Sequence, residues 1–238
     1  GDTLDFEARE NLGVVINRLF QPLDSFVAMH DTHYIASLRA AISAAAPRVV
    51  LDLGSGACGG MAAMLAARAG AQRVVLYEEV KLRKVVLEEV LKANGASDCV
   101  KIVHQDFLSQ ESALPAQRKT PADTLLLDYS GALYGADLLN SDLIPSVMHA
   151  REGGFLAAGC TVVPSSVRVR FVLVESQALL ELEEVCHTVE GLDLKAFNRF
   201  SRPTRSVQLD HIPHRLLSSV THGPAVNLTE VARGGAGG

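Results

Sequence analysis

The spacing of apolar residues changes from helical to strand-like along the chain. Near the start, apolar residues recur every three or four positions, which predicts a helix over 8–20, and "YIASLRAAISAAA" predicts a second one. Short apolar runs then alternate with amphipathic stretches. The runs are "RVVLDL", "RVVLYE", "VKIVHQDF", "DTLLLDY" and "GGFLAAG", and the stretches are "CGGMAAMLAARAG", "VKLRKVVLEEVLKANG" and "SDLIPSVMHARE". This alternation predicts an α/β fold, with a doubly wound parallel sheet and helices on both of its faces.

The pattern changes again after Cys160. "TVVPSSVRVRFVLVES" alternates arginines with Val and Phe, which predicts one long, half-exposed antiparallel strand. A helix over "QALLELEEV" and several turn-rich segments with prolines follow. We therefore divide the chain into four parts, which are N-terminal helices at 1–46, a Rossmann-like domain at 47–159, a β-rich segment at 160–232 and a Gly-rich tail at 233–238.

Composition and charge narrow the function classes. The net charge is −5 and the pI is about 5.9, so the chain lacks the basic surface that nucleic-acid binding requires. No apolar run is long enough to cross a membrane, and we expect a soluble protein. The four cysteines never form C-x-x-C, so neither a zinc site nor a disulfide framework is expected, and no metal is predicted. A reducing compartment fits this pattern. We expect the cytoplasm or the nucleus, and a processed organellar form stays open.

A glycine-rich turn follows the first predicted strand in "VVLDLGSGACGG". Gly54 and Gly56 allow the backbone to turn tightly enough for a cofactor to lie against it. Doubly wound folds bind ligands at this carboxyl edge of the sheet. Asp52 precedes the turn and argues against a pyrophosphate, but it suits a cationic ligand such as the amino group of S-adenosylmethionine.

Two more acids stand at the ends of the next predicted strands. Glu78 ends the second strand in "LYEE" and can accept hydrogen bonds from both hydroxyls of a ribose. Asp106, followed by Phe107, ends the third strand where an adenine amino group would lie. Together with Asp52, these residues predict a site for an adenosine-containing cofactor. The alternative is that strand ends are simply polar and exposed.

Most of residues 26–215 resembles the protein arginine methyltransferase family. The likeness is carried by "VVLDLGSGACGGMAAMLAARAGAQRVVLYEE", "VAMHDTHY", "GCTVVPSSVRVRFVLVES" and "EGLDLKAFNRFSRP", in the family's order. The resemblance implies a Rossmann-like methyltransferase domain covered by N-terminal helices and followed by a β-barrel. It also implies S-adenosylmethionine as cofactor, S-adenosylhomocysteine as product, a protein arginine as substrate, and dimerisation. About half a barrel is matched, so we expect either an incomplete barrel or a surface borrowed from a partner.

The resemblance gives a meaning to the loop "LLLDYSGALYGAD". The family holds the substrate guanidinium with two glutamates nine residues apart, and Asp128 and Asp137 have that spacing here. Two carboxylates can bind a guanidinium bidentately and fix its orientation. We therefore expect Asp128 and Asp137 to be the catalytic pair.

The sequence also departs from the family in four places. Both clamp acids are aspartates. Tyr34 and Leu38 stand where our alignment places the family's cofactor-binding arginine and a tyrosine. Cys58 replaces a glycine of the turn, and the chain has no tryptophan for the family's late Thr-His-Trp loop. These changes leave an alternative open, which is an inactive methyltransferase fold that serves as scaffold or regulatory subunit of an active paralogue. A small-molecule methyltransferase is a third possibility.

Overall fold

The computed structural model describes residues 28–54, 58–109, 120–127, 143–183, 187–200, 209 and 212–234. The helix predicted over 8–20 lies outside these residues. The described helices are α1 (Thr32–Ala45), α2 (Met61–Arg68), α3 (Lys81–Ala93), α4 (Leu143–Glu152), α5 (Gln177–Glu183) and α6 (Leu228–Arg233). The strands of the first half are β1 (Val49–Asp52), β2 (Arg73–Tyr77), β3 (Val100–Val103), β4 (Ala122–Leu126) and β5 (Leu156–Val163). Those of the second half are β6 (Ser166–Phe171), β7 (Val174–Glu175), β8 (Thr188–Val189), β9 (Leu192–Asp193), β10 (Arg215–Leu216) and β11 (Thr221–Asn227).

Strands β1 to β5 form one parallel sheet in the order β3-β2-β1-β4-β5. The chain builds outward from β1 on one side, then crosses to β4 on the other. This crossover makes the gap beyond β1 and β4 the topological switch point of a doubly wound fold. The predicted α/β fold with a Rossmann-like sheet is confirmed.

Both faces of this sheet are covered, which explains why its strands read as continuous apolar runs. Neighbouring residues of a strand point to opposite faces. Accordingly, Leu51 and Leu125 belong to one buried cluster, whereas Val50 and Leu126 belong to the other. Each of these four side chains is at most 3% exposed. Burial on both faces is what parallel sheets require, and it fixes the register of the strands.

Local signals set the ends of the helices. Asp31 caps α1 by accepting a hydrogen bond from the Tyr34 amide at 2.9 Å. α3 ends at Ala93, and Asn94 and Gly95 follow it as a stop signal, with Gly95 at a φ of +66°. These caps place both helices against the sheet with their boundaries close to those predicted.

The sheet extends past the predicted domain boundary at 159. β5 pairs with β4 through Thr161 and Val163, so the boundary falls inside a strand. Pro164 follows directly, and a proline has no N–H to continue a ladder of hydrogen bonds. The single long strand predicted over "TVVPSSVRVRFVLVES" is therefore divided into the end of β5, then β6, then β7.

The C-terminal helix also differs from the prediction, which placed residues up to 232 in the β-rich part. Asn227 caps α6 by accepting from the Thr229 and Glu230 amides, and Leu228 is 0% exposed within the same core cluster as β1 and β4. The Arg151 guanidinium of α4 donates to the Val231 carbonyl at 2.9 Å. The chain thus returns from the β-rich part to pack its last described helix against the parallel-sheet domain.

The β-rich part consists of three separate two-stranded sheets among the described residues. They pair β6 with β11, β7 with β10, and β8 with β9, all antiparallel. This confirms a β-rich segment after the Rossmann-like sheet. Among the same residues, no helix is long and apolar enough to cross a membrane.

Candidate functional site

The carboxyl ends of β1 and β2 bring two predicted site residues to neighbouring positions. Asp52 is the last residue of β1 and pairs in register with Leu76, and Glu78 follows two positions beyond Leu76. The ladder continues there, because the Glu78 amide donates to the Val103 carbonyl at 3.0 Å. Backbone hydrogen bonds on both sides therefore hold this edge of the sheet in place.

Glu78 is the best-defined side chain of the site. It is 4% exposed, and its Oε1 accepts from the Val80 amide at 2.7 Å and from the Arg83 Nε at 3.1 Å. No described residue donates to Oε2. Burial raises the pKa of this carboxyl group, against the lowering effect of the Val80 amide and the Arg83 guanidinium. One oxygen is thus fixed by the protein, while the other has no donor among the described residues and has lone pairs with which it could accept from a ligand.

Sequence reasoning missed Arg83, which lies in the first turn of α3. The only signal was its position five residues after a strand-end acid, where the chain turns from strand into helix. Helix and strand periodicity do not predict contacts between residues on opposite sides of such a turn.

Asp52 is fully buried at the edge of β1. Burying a carboxylate costs free energy unless hydrogen bonds or an opposite charge accompany it. Two buried acids at the ends of adjacent strands therefore indicate a polar site at this edge of the sheet. The structure describes Gly54, which is half-buried, whereas Gly56 lies outside the described residues. Asp52 therefore ends β1 two residues before Gly54, and its role at the glycine-rich turn stays a prediction.

The end of that turn needs glycine for two reasons. Gly59 and Gly60 have φ values of +64° and +72°, in the left-handed region. A Cβ on Gly60 would also lie 3.3 Å from Leu87 Cδ2, so the Leu87 side chain would have to shift slightly. Cys58, which replaces a family glycine, is 1% exposed, and the fold accommodates its side chain internally.

Asp106 and Phe107 follow β3 but have different environments. Asp106 is exposed, and its Oδ1 accepts from the Leu108 amide at 2.9 Å, which closes its own turn. The ring of Phe107 lies in the core, 4.9 Å from the Tyr77 ring and 5.3 Å from the Phe155 ring. Asp106 has a second oxygen that a ligand could reach, whereas the Phe107 side chain anchors the turn.

The two α1 residues that depart from the family, Tyr34 and Leu38, serve the core. Leu38 is 8% exposed within a buried cluster, and Tyr34 packs against the same cluster. The predicted clamp residues Asp128 and Asp137 lie outside the described residues. In sequence, Asp128 follows Leu127, whose amide extends the sheet edge by donating to the Val163 carbonyl at 2.8 Å.

The chemistry of the described edge fits one kind of ligand. A pyrophosphate does not fit beside two buried carboxylates, because the like charges repel. A ligand with hydroxyl donors and a cationic amino group does fit, since Glu78 Oε2 has no donor among the described residues and the buried Asp52 carboxyl group offers oxygen acceptors. Within the described part of the chain, no three His, Cys, Asp or Glu side chains form a group that could hold a metal ion.

Two curated relatives are similar to this chain, although no protein-family model matches it. An arginine N(omega)-methyltransferase of Streptomyces achromogenes subsp. streptozoticus is 34% identical over 198 residues, which cover 81% of this chain and 52% of that protein. Protein arginine N-methyltransferase 7 of Xenopus laevis is 30% identical over 131 residues, or 55% of this chain and 18% of the relative. The chain thus spans about half the length of the first relative and less than a fifth of the second.

Solved structures share the fold at lower identity. One is the Trypanosoma brucei PRMT1 enzyme-prozyme heterotetrameric complex with AdoHcy, with a TM-score of 0.63, 20% identity, and coverage of 84% of this chain and 60% of that chain. Another is Arabidopsis thaliana protein arginine methyltransferase 10, with a TM-score of 0.59, 17% identity, and coverage of 84% of this chain and 61% of that chain. The sequence similarity, the acids at the strand ends and the order of the parallel sheet and the β-rich part all point to the same family. The chain belongs to the protein arginine N-methyltransferase family.

Proposed function

We propose that this protein binds S-adenosylmethionine and transfers its methyl group to a guanidinium nitrogen of a protein arginine. The observation that carries the proposal is the buried Glu78, whose Oε1 is held by two protein donors while Oε2 has none among the described residues. Its place beside Asp52 at the switch point of the sheet supports an adenosine cofactor. The names of the relatives support arginine as the acceptor.

The roles of the site residues follow from their charges. When bound, the cofactor supplies a methyl group on a positively charged sulfonium. Glu78 accepts hydrogen bonds from the ribose, Asp52 attracts the cationic amino group, and the turn from Gly54 to Gly56 gives the cofactor a backbone surface to lie against.

Asp128 and Asp137 are proposed to hold the substrate. Their carboxylates accept from the guanidinium N–H groups and leave one nitrogen facing the methyl group, in line with the bond that breaks. The nitrogen lone pair would form the new N–C bond while the bond between sulfur and methyl breaks, S-adenosylhomocysteine would leave with that electron pair, and the nitrogen would then lose a proton to the clamp or to solvent. Aspartates reach one methylene less far than glutamates, so the loop or the substrate must approach more closely.

The acceptor is proposed to be arginine within a protein. The name of the Xenopus laevis relative specifies protein arginine, whereas the name of the Streptomyces relative specifies arginine alone. Free L-arginine therefore belongs in the same assay as arginine-rich peptides, and it tests the small-molecule alternative directly. The relatives' names do not favour the scaffold alternative.

We also propose that the protein works as an oligomer, either with a second copy or with a paralogous subunit. The support is a fold neighbour solved as a heterotetrameric enzyme-prozyme complex. We place the protein in the cytoplasm or the nucleus. Size-exclusion chromatography with light scattering tests the assembly state, and a monomer at all concentrations would contradict it.

Calorimetric titration with S-adenosylhomocysteine tests the cofactor site. We expect micromolar binding by the wild type and a loss of about tenfold or more in Glu78→Gln, because a charge-assisted hydrogen bond to the ribose disappears. Glu175→Gln is the matched control, since Glu175 is an exposed acid of the β-rich part. Absence of wild-type binding up to millimolar ligand would overturn the proposal.

Methyl transfer to peptide and to free L-arginine tests the acceptor. We expect Asp128→Asn and Asp137→Asn each to lower turnover by about 10²-fold through loss of orientation, with cofactor affinity unchanged. Intact cofactor binding without transfer to either substrate, alone or with a paralogue, would support the scaffold alternative instead.

A further inference from the structure

The Glu78 carboxylate is held asymmetrically. Both donors that reach it from the described residues, the Val80 amide and the Arg83 Nε, end on Oε1. A carboxylate oxygen has about two lone-pair directions, so Oε1 is saturated and the remaining acceptor capacity lies on Oε2. As far as the described residues show, Oε2 is therefore the oxygen that can accept from a ligand without breaking a contact within the protein.

Arg83 stands where helix electrostatics disfavour a cation. It is in the first turn of α3, which contains Lys81, Arg83 and Lys84 and no acidic residue. The positive end of the helix dipole repels these charges. Lys84 is paired with Glu88 one turn later, whereas Arg83 points back to Glu78 before the helix. The side chain of Arg83 is 20% exposed and that of Glu78 is 3% exposed, so this pair is far less hydrated than a surface ion pair.

We infer that Arg83 is a positioning residue for the cofactor site, which fixes Oε1 of Glu78 so that Oε2 faces the ribose hydroxyls. This inference rests on the proposed cofactor. Without the Arg83 Nε, one donor remains on Oε1, and the carboxylate can rotate about its terminal bond toward either orientation. The ionised form also loses its nearest positive charge within a buried environment. Both effects weaken the hydrogen bonds between Glu78 and a ribose, although the acceptor itself is still present.

The test is a double-mutant cycle between Arg83→Met and Glu78→Gln, read by calorimetric titration with S-adenosylhomocysteine. Methionine keeps an apolar stem of similar length and removes the donor together with its positive charge. We expect Arg83→Met to weaken binding roughly tenfold in the wild-type background and less than about twofold in the Glu78→Gln background, since contacting residues couple. Arg83→Lys should recover part of the loss, because lysine can still donate to Oε1.

Lys84→Met is the matched control on the same helix. It removes a cation from the same turn but touches Glu88 and not Glu78, so we expect an unchanged affinity. A second readout uses 2′-deoxy and 3′-deoxy analogues of S-adenosylhomocysteine. If Arg83 acts on the ribose contact, the effect of Arg83→Met shrinks for at least one analogue.

Three results would overturn the inference while leaving the proposed function intact. These are unchanged affinity in Arg83→Met, an equal loss in the Glu78→Gln background, and an equal loss for both deoxy analogues. Each would be seen with normal wild-type binding. No binding by the wild type would instead overturn the proposed function, and the inference with it. Thermal unfolding of every apo variant identifies any that fails to fold; if Arg83→Met does, Arg83→Lys takes its place in the cycle and in the titrations with the deoxy analogues.

Discussion

The parallel-sheet domain and the β-rich part bury their apolar residues to very different extents. In β2 and β4, Leu76 and Leu125 are each 0% exposed and touch core side chains from several elements. In the β-rich part, large apolar side chains are more than half exposed; they include Phe171, Leu173, Leu180, Leu192, Leu216 and Leu217. Hydrophobic burial is the main favourable term in folding, so the described structure draws its stability from the first region. The ligand edge belongs to that same region.

The largest expected contrast is in hydrogen exchange. The Leu127 amide donates to Val163 and the Leu217 amide donates to Leu173, both at 2.8 Å. The two bonds have the same donor residue type and the same length, so the difference in exchange rate reports the surrounding region. We expect Leu217 to exchange at least about 10³-fold faster, because a two-stranded sheet opens locally. Mass spectrometry or NMR measures this, and similar rates would contradict the contrast.

The second-largest expected contrast is in the free energy of unfolding when one leucine in each region is truncated to alanine. We expect Leu76→Ala to lower the free energy of unfolding by about 3 kcal/mol, because it leaves a cavity between two packed layers. Leu173→Ala should cost less than about 0.5 kcal/mol, since that side chain is 67% exposed. Urea denaturation of both variants tests the pair. A large loss in Leu173→Ala would mean that another surface covers this side chain in solution.

The same contrast explains what the sequence could predict. Two-sided burial makes the strands of the first region read as continuous apolar runs, so "RVVLDL" and "RVVLYE" identified β1 and β2, and their ends identified Asp52 and Glu78. The predicted boundary at 159 lies inside β5, because "FLAAGCTVV" continues one strand that Pro164 ends, beyond the change of composition after Cys160.

Other features depended on contacts that no local pattern encodes. α6 has only six residues, although Asn227, Glu230 and Gly234 form a cap-and-stop signal that could have revealed it. Its place in the core depends on residues far away in sequence. The contact between Arg83 and Glu78 likewise depends on how the chain turns between β2 and α3.

Substitution of Glu78 should raise the free energy of unfolding near neutral pH, whereas truncation of the leucines lowers it. Burial raises its native pKa above the ordinary value of 4.5, so the folded state disfavours the ionised form. Its unfavourable contribution is absent well below pH 4.5 and grows as the pH rises through the native pKa. We expect apo Glu78→Gln to be as stable as the wild type at acid pH and more stable near neutrality.

Thermal unfolding between pH 4 and 8 measures this difference. The test separates stability from binding, because the same substitution is expected to weaken S-adenosylhomocysteine. A Glu78→Gln variant that is less stable at pH 7 would show that the contact with Arg83 outweighs the cost of burial. That result would mean that the main role of Glu78 is to stabilise the fold through Arg83.

The smallest expected effect is at an exposed ion pair. The Arg215 Nε donates to Glu175 Oε2 at 2.8 Å and joins β10 to β7, but the two side chains are 72% and 57% exposed. Water screens such a pair, so Glu175→Gln should cost less than about 0.5 kcal/mol, and ~1 M NaCl should remove the difference. Urea midpoints at low and high salt measure it. A loss above about 1 kcal/mol would mean that this pair lies in a drier environment than its exposure shows, and that the β-rich part depends on a covering surface.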